Sequence, residues 1–395
     1  MNKATLPSVP SAKKILLIKM GAVGDLIMAS SFFEAVRKNF PQARVSHLVS
    51  DQLFPIVKEN PNIDRFISVD SDALYKGGWF SQLREVFRLI SLLRKERFDM
   101  VFVLHWAWQF NLLTFLCRIP VRVGFKRKWG RLFLTRGVRP REDQNNREAY
   151  LNLLRGFGVP ACYQKSHYYL SEREDRFLET FIEEHRMSAE EQLIALAPGG
   201  GRNIKQTMLT RLWPVDRYIE LIGNILQAGP CRIVLIAGPD DGPVIQPILD
   251  RYPQCIDTRT LSFGEKASIL RRCRLLVGND SAPIHMSTAL SIPTYSLWGP
   301  TNPKRYGDPL PHHTSFYKKI ECSPCYSYGE FPACNDNQCM QAISVAEVWE
   351  TLQAALSPKI PKPAFIESSV PEKEFPGKIV SAPQEDLERP NQSTA

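Results

Sequence analysis

Short apolar runs and amphipathic stretches take turns along most of the chain. Ile15-Leu16-Leu17-Ile18 is the first run, and residues 44–49, 65–69 and 98–104 repeat it. Runs this short, bounded by breakers, predict strands buried on both faces, as in a parallel sheet. Between them the apolar period lengthens to that of a helix. Residues 26–39 carry Phe32, Phe33 and Val36 on one face, and a short helix is expected near 52–59. Residues 79–95 place Leu83, Val86, Phe87, Ile90 and Leu93 at helical spacing, toward a core. A fifth strand is expected at 119–125. Helices follow at 142–157 and 171–185, the second charged enough to serve as a surface linker. The pattern then restarts, with strands expected at 193–197, 232–237, 255–257, 275–277 and 293–298 and helices at 215–227, 263–273 and 345–356. Such alternation predicts an α/β protein with helices on both faces of a parallel sheet in each half. A chain of 395 residues is long enough for two such domains.

In folds of this class ligands bind at the C-terminal ends of strands, so the residues just after each run matter most. The first run ends in Gly21-Ala22-Val23-Gly24-Asp25. The two glycines permit a tight turn and a close backbone approach by a ligand, and Asp25 sets a carboxylate beside it. The spacing is not that of a dinucleotide fingerprint, and an acid there would also simply offset a helix dipole. Residues 275–277 run into Gly278-Asn279-Asp280-Ser281-Ala282-Pro283-Ile284-His285. Asp280 or Ser281 can cap a helix there, and Pro283 fits its first turn. Backbone amides at such a terminus favour a phosphate, with His285 beside them. The plainer reading is an ordinary capped junction with a packed histidine. Pro198-Gly199-Gly200-Gly201-Arg202, with Lys205, forms a phosphate cradle of backbone donors and point charges, or else a flexible loop. Arg211 is a further phosphate ligand. Asp240 and Asp241 follow a strand where a ribose hydroxyl would be bound.

Hydrophobic residues make up 44% of the chain and charged residues 23%, the balance of an ordinary globular protein. No apolar run approaches the ~20 residues of a membrane span. Met1 to Pro10 lacks a basic region followed by an apolar core, so no secretion signal is expected. The net charge of +9 suits an acidic partner: a nucleotide, a nucleic acid, a phosphorylated glycan or an anionic membrane face. Its densest part is Lys126-Arg127-Lys128-Trp129-Gly130-Arg131. Charge alone favours a solvated loop. The functional reading is a surface for a phosphorylated or lipid-borne acceptor, with Trp129 in the interface. No nucleic-acid motif accompanies it. Nine cysteines, most of them scattered, fit a reducing cytoplasm better than a disulfide framework. Cys322 and Cys325, with Cys334 and Cys339, invite a zinc reading. The second pair lacks the CxxC spacing, so free or packed thiols are favoured and no metal site is expected. Residues 1–12 are expected to be a loose arm and residues 357–395 a disordered tail.

In their order and spacing these motifs resemble glycosyltransferase family 9, the bacterial ADP-heptose:lipopolysaccharide heptosyltransferases, over roughly residues 14–355. The resemblance rests on Gly-Ala-Val-Gly-Asp, on Pro-Gly-Gly-Gly with Arg-Leu-Trp-Pro, and on Gly-Pro-Asp-Asp. Gly-Asn-Asp-Ser-Ala-Pro-Ile-His and Trp-Gly-Pro-Thr-Asn-Pro-Lys-Arg-Tyr-Gly complete it. It implies a GT-B architecture: two Rossmann-like domains facing across a cleft, an acceptor domain at 13–185 and a nucleotide-sugar domain at 186–356. It also implies an inverting, metal-independent transfer that needs no cofactor besides the nucleotide-sugar substrate. The heptose, or a related sugar, would pass from an ADP-activated donor to an anionic, lipid-linked lipopolysaccharide core glycan. The setting would be cytoplasmic, with peripheral contact at the inner membrane and no nucleic acid as partner. Asp25 resembles the general base. Asp280, Ser281, Ala282 and His285 match the donor-binding turn, joined by Gly200, Gly201, Arg202, Lys205 and Arg211. Asp241 is assigned to the ribose and Leu261 to the adenine wall. Gly24, Lys126, Arg127 and Lys128 fall on the acceptor side. One departure is that the position two before Trp-Pro, often lysine in the family, is Arg211, while Lys205 lies upstream; either can hold a diphosphate, arginine in bidentate fashion. The cysteine-bearing segment recurs in the family, which favours a structural role. Two other readings stay open: a GT-B-like sugar-nucleotide epimerase, and a non-catalytic basic protein that binds polyanions.

Overall fold

A computed structural model describes residues 12–141, 143–188, 191–200, 208–326, 333–334 and 336–356. Among them the apolar runs become two six-stranded parallel sheets. The first holds β1 (Lys14–Ile18), β2 (Arg44–Ser50), β3 (Arg65–Val69), β4 (Met100–Val103), β5 (Val121–Phe125) and β6 (Arg136–Val138), in the order 3-2-1-4-5-6. The second holds β7 (Gln192–Ala197), β8 (Cys231–Leu235), β9 (Ile256–Asp257), β10 (Leu275–Asn279), β11 (Thr294–Trp298) and β12 (His313–Tyr317), in the order 12-11-10-7-8-9. The winding is the same in both lobes. In the first, β1 pairs with β2 on one side and β4 on the other; in the second, β7 pairs with β8 and β10. Strand order reverses at those points, which opens a crevice above the strand ends. The segments after β1 and β10 enter these crevices, and they carry Asp25 and Asp280.

Alternation along each strand sends side chains to two layers. Leu16, Ile18, Leu48 and Val101 meet one set of helices, while Ile15, Leu17, Val45 and Phe102 enter a core shared with the second lobe. That core also contains Leu26, Tyr150, Leu193, Ala195 and Ile284, so apolar packing continues from one sheet to the other. Helix Glu172–Glu184, read as a surface linker, does more. It buries Leu178 and Phe181, and its Asp175 pairs with Arg271 while Glu174 lies 3.7 Å from Lys58.

Several expected elements are displaced. The helix expected at 26–39 is two helices, Val23–Met28 and Ser30–Asn39, so Asp25 falls inside a first helical turn. The helix expected at 142–157 is Asn146–Gly156, and it begins where the Asn145 side chain accepts the Arg147 N–H at 3.1 Å. On helix Trp79–Glu96, Leu83 and Phe87 are exposed instead of facing the core. The helix carries two apolar stripes, and the sheet takes the one with Leu89 and Leu93. Glu85 joins that buried side because Arg88 pairs with it at 2.5 Å. The arm and tail expectations lie, apart from Ala12, outside the described residues.

His47 on β2 is fully buried between the rings of Phe33 and Phe66 and donates from Nε2 to the Lys19 carbonyl at 3.0 Å. Burial disfavours its charged form and lowers its pKa to about 4. An unfolded histidine titrates near 6.5. Between those values the unfolded chain binds the proton and the fold does not, so stability falls as pH drops from about 7 toward about 4. His47→Gln should flatten the fall in melting temperature over that window, as thermal melts at several pH values will show.

Candidate active site

Asp25 occupies the third position of helix Val23–Met28 and accepts the Ala22 N–H at 3.3 Å, so it does serve its own helix terminus. It also does more than cap. Buried Lys19, the residue after β1, reaches its Oδ2 at 3.0 Å, and the Tyr150 hydroxyl donates to Oδ1 at 3.2 Å. The carboxylate remains 29% exposed, so it is gripped on one side and open on the other. The Lys19 ammonium lies 5.4 Å from the Tyr150 ring centroid. Burial, and then the Asp25 carboxylate, raise the Tyr150 pKa well above its ordinary value and keep it a proton donor. Of these partners only Tyr150 is far from Asp25 in the chain.

In the second lobe, β10 ends in Asn279, and Ser281 precedes helix Ala282–Ala289. Buried Asn279 ties three segments together. Its Nδ2 donates to the Pro198 carbonyl at 2.7 Å, while its Oδ1 accepts the Trp213 N–H and the Tyr218 hydroxyl, each at 3.1 Å. Replacing Asn279 by Leu takes the partner from the Pro198 carbonyl and the Trp213 N–H and leaves the Tyr218 hydroxyl only its 3.4 Å bond to the Ala197 carbonyl, and an orphaned buried group costs about 1–3 kcal/mol. A loss of at least ~2 kcal/mol in urea denaturation is therefore expected. Asp280 is buried, accepts the Thr301 hydroxyl at 2.6 Å, and lies 3.6 Å from Arg211 Nε and 4.0 Å from His285 Nε2. Burial, with the charges of Arg147, His313 and Arg211, pushes the His285 pKa well down, so its imidazole is neutral. The Ser281 hydroxyl donates back to the Asn279 carbonyl and makes no side-chain cap.

The Gly-rich loop closes over this turn. Gly200 has φ +101°, which favours glycine, and a Cβ there would collide with Ser281. Asp241 holds the loop: its oxygens accept the Gly200 N–H at 3.0 Å and the Gly238 N–H at 2.7 Å. Its carboxylate is therefore engaged with backbone of its own lobe. Gly201, Arg202 and Lys205 lie outside the described residues. Arg211 donates to the Asp280 carbonyl at 3.4 Å and stands 5.6 Å from the Tyr326 ring centroid. Leu261 is half-buried against the shared core.

The two lobes meet at these loops. Helix Val23–Met28 crosses helix Ala282–Ala289 so closely that a Cβ on Gly24 would collide with the His285 ring. Tyr326 feels both sides: burial raises its pKa, and Asp25 and Asp280 raise it further. Beside this contact lies a buried latch. Arg147 donates from Nη1 to the carbonyls of Tyr306 and Gly307, at 3.0 and 2.9 Å, and its Nη2 lies 3.4 Å from Asp308 Oδ2. Asn145 donates to the same Gly307 carbonyl at 2.8 Å. Lys126 and Lys128 are exposed beyond β5, and Arg127 is half-buried. Sequence reasoning singled out neither Lys19, Tyr150 and Tyr326 nor Arg147. Tyrosine and arginine on an ordinary helix carry no signal of what they will face.

Among the described residues no group of three or more His, Cys, Asp or Glu side chains is placed to hold a metal ion, and the nine cysteines are free thiols. Two Rossmann-wound lobes, with Asp25 on one and a helix N-terminus opposite it, define a GT-B protein. The family model for glycosyltransferase family 9 (heptosyltransferase) matches residues 86–333. Lipopolysaccharide heptosyltransferase 2 of Salmonella typhimurium is 26% identical over 322 residues, 78% of this chain and 88% of that protein. Lipopolysaccharide heptosyltransferase 3 of Escherichia coli is 23% identical over 294 residues, 71% of this chain and 80% of that protein. A family 9 glycosyltransferase structure from Veillonella parvula superposes with a TM-score of 0.73 at 23% identity, covering 87% of this chain and 97% of that one. The chain belongs to glycosyltransferase family 9 and is a glycosyltransferase.

Proposed function

We propose that the enzyme transfers a heptose, with inversion, from ADP-heptose to a lipid-linked lipopolysaccharide core glycan, with Asp25 as the general base. Residues 13–185 serve as the acceptor domain and 186–356 as the donor domain, at the cytoplasmic face of the inner membrane. The observation that carries this reading is the meeting of Asp25 with the Asp280–His285 turn across the lobes, where Gly24 abuts His285. The similar lipopolysaccharide heptosyltransferases support the substrate class.

In this mechanism the acceptor hydroxyl gives its proton to Asp25 as its oxygen forms a bond to the anomeric carbon. The bond from that carbon to the β-phosphate oxygen breaks, and ADP leaves with the electron pair. A carboxylate is suited to take a proton that is lost only as the donor bond breaks. Charge grows on the leaving diphosphate, beside the amides that open helix Ala282–Ala289 and the Arg211 guanidinium, where fixed donors stabilise it best. Lys19 and Tyr150 orient Asp25 from the buried side. Asp241 acts chiefly by shaping the Gly200 loop.

The test is a thermal-shift titration followed by product analysis. ADP-heptose at a hundred times its Kd should stabilise the enzyme by about 2.7 kcal/mol, and heptose should appear on a core acceptor in the inverted configuration. Conversion of the sugar nucleotide without acceptor would assign the enzyme to epimerases instead.

A further inference from the structure

Helix Phe263–Arg272 follows β9 and buries Ala267, Ile269 and Leu270 in the shared core. Lys266, one turn before Ile269 and Leu270, is buried with them and only 7% exposed. Its ammonium lies 5.9 Å from the Phe263 ring centroid and, among the described residues, makes no hydrogen bond or ion pair. A lysine this deep is ordinarily paired, because a charge taken from water needs a partner. Three acids lie within its electrostatic reach: Asp241, Asp257 and Glu265. Each of them bonds elsewhere. Asp241 accepts the Gly200 and Gly238 N–H groups. Asp257 takes Arg259, the backbone N–H at 2.9 Å and Nε at 2.7 Å. Glu265 accepts the Ser262 N–H at 2.7 Å and closes its helix cap. Burial is the largest influence on the Lys266 pKa and lowers it, although all three acids act in the opposite sense.

Position in the sheet identifies what such an ammonium meets. Asp241 ends the turn after β8, and Asp257 ends β9. Both strands lie on the far side of β7 from β10. Helix Ala282–Ala289 follows β10, two strand positions from β8, so roughly 10 Å separates the two strand ends. A diphosphate at that helix therefore sets the ribose of its nucleotide near Asp241, where folds of this winding bind it. A ribose hydroxyl is both donor and acceptor. It can accept from the Lys266 ammonium and donate to a remaining lone pair of Asp241, whose bonds to the two loops stay in place.

We propose that Lys266 is a specificity-determining residue for the donor, and that its ammonium donates to a ribose hydroxyl of the nucleotide. The assignment rests on the nucleotide-sugar reading of the second lobe and adds what makes that lobe select a ribonucleotide. A deoxynucleotide leaves the ammonium buried without an acceptor, and a site built around a substrate hydroxyl discriminates strongly against the analogue that lacks it. The diphosphate has other cationic and amide partners, Arg211 and the amides that open helix Ala282–Ala289, so Lys266 is not needed there.

The test is isothermal titration calorimetry of the full-length protein with ADP, 2′-deoxy-ADP and 3′-deoxy-ADP, for the wild type, Lys266→Met and Lys266→Gln. The wild type should bind ADP at least about tenfold more tightly than one of the deoxynucleotides, as a hydrogen bond to a charged group implies. Both variants should lose about tenfold in ADP affinity and hold ADP and that deoxynucleotide within roughly threefold of each other. A residue that only supported the fold would weaken all three nucleotides alike. Thermal melts without nucleotide should place Lys266→Met at or above the wild type, since methionine fills the same slot without a buried charge. Equal wild-type affinity for the three nucleotides overturns the proposal. So does an equal loss for all three in both variants, or discrimination that survives both substitutions. In each of these cases ADP still binds and the nucleotide-sugar reading stands; a wild type that does not bind ADP removes both.

Discussion

Asp25→Asn is expected to lower turnover by about 10²–10⁴-fold, the contribution of a positioned general base, while ADP-heptose affinity stays within a factor of about three. The asparagine keeps the shape of the side chain and can still accept from Tyr150, but it cannot take the acceptor proton. Its amide also faces the buried Lys19 ammonium, which the carboxylate meets at 3.0 Å in the native enzyme. A modest drop in melting temperature should therefore accompany the loss. Single-turnover kinetics separate the two effects, because a fold defect lowers the active fraction and leaves the rate constant of the remainder unchanged. Equal turnover by the mutant would remove Asp25 from the chemistry, and weaker donor binding would make it a ligand instead.

Arg147→Met should be the most destabilising single change near the cleft. The pair that Arg147 makes with Asp308 has no exposure on either side chain. Removing one member of a buried ion pair strands the other and costs about 3–5 kcal/mol. Here the loss also removes bonds to the Tyr306 and Gly307 carbonyls and to the Ser166 hydroxyl, although Asn145 still donates to Gly307. Urea denaturation should show it directly. Adding Asp308→Asn to the Met variant should recover part of the loss, since the stranded charge is then gone, and the double-mutant cycle measures the coupling. Asp308 accepts the Tyr163 hydroxyl on one oxygen and the Leu310 N–H on the other, and asparagine has a single acceptor oxygen, so recovery will be incomplete. Because the pair joins helix Asn146–Gly156 to the second lobe, loss of activity should exceed what the unfolded fraction explains.

The strands and the loops that follow them were legible because both follow from local rules. Ile15 to Ile18 and Leu275 to Val277 are apolar without interruption, and such runs have one good use, the middle of a parallel sheet. The places of Asp25 and the Asp280–His285 turn, each just after a buried strand, were legible for the same reason. Edge strands β6 and β12 were not, because half-exposed strands mix polar and apolar residues. Helix Trp79–Glu96 shows the limit of periodicity: it has two apolar stripes, and only the sheet decides which one is buried. The latch was invisible for a different reason. Arg147 and Asp308 are 161 positions apart in the chain, and nothing local distinguishes either from a solvated charge. The bonds of Asp241 to Gly200 and Gly238 were not legible either, because they depend on two loops from neighbouring strands.

The most direct measurement is a crystal structure of the wild-type enzyme with ADP and a non-transferable heptose analogue. The diphosphate should lie at the N-terminus of helix Ala282–Ala289, within reach of Arg211, with the anomeric carbon turned toward Asp25 across the lobes. A diphosphate bound away from that helix, or a sugar whose anomeric carbon faces away from Asp25, would contradict the assignment of base and donor site together.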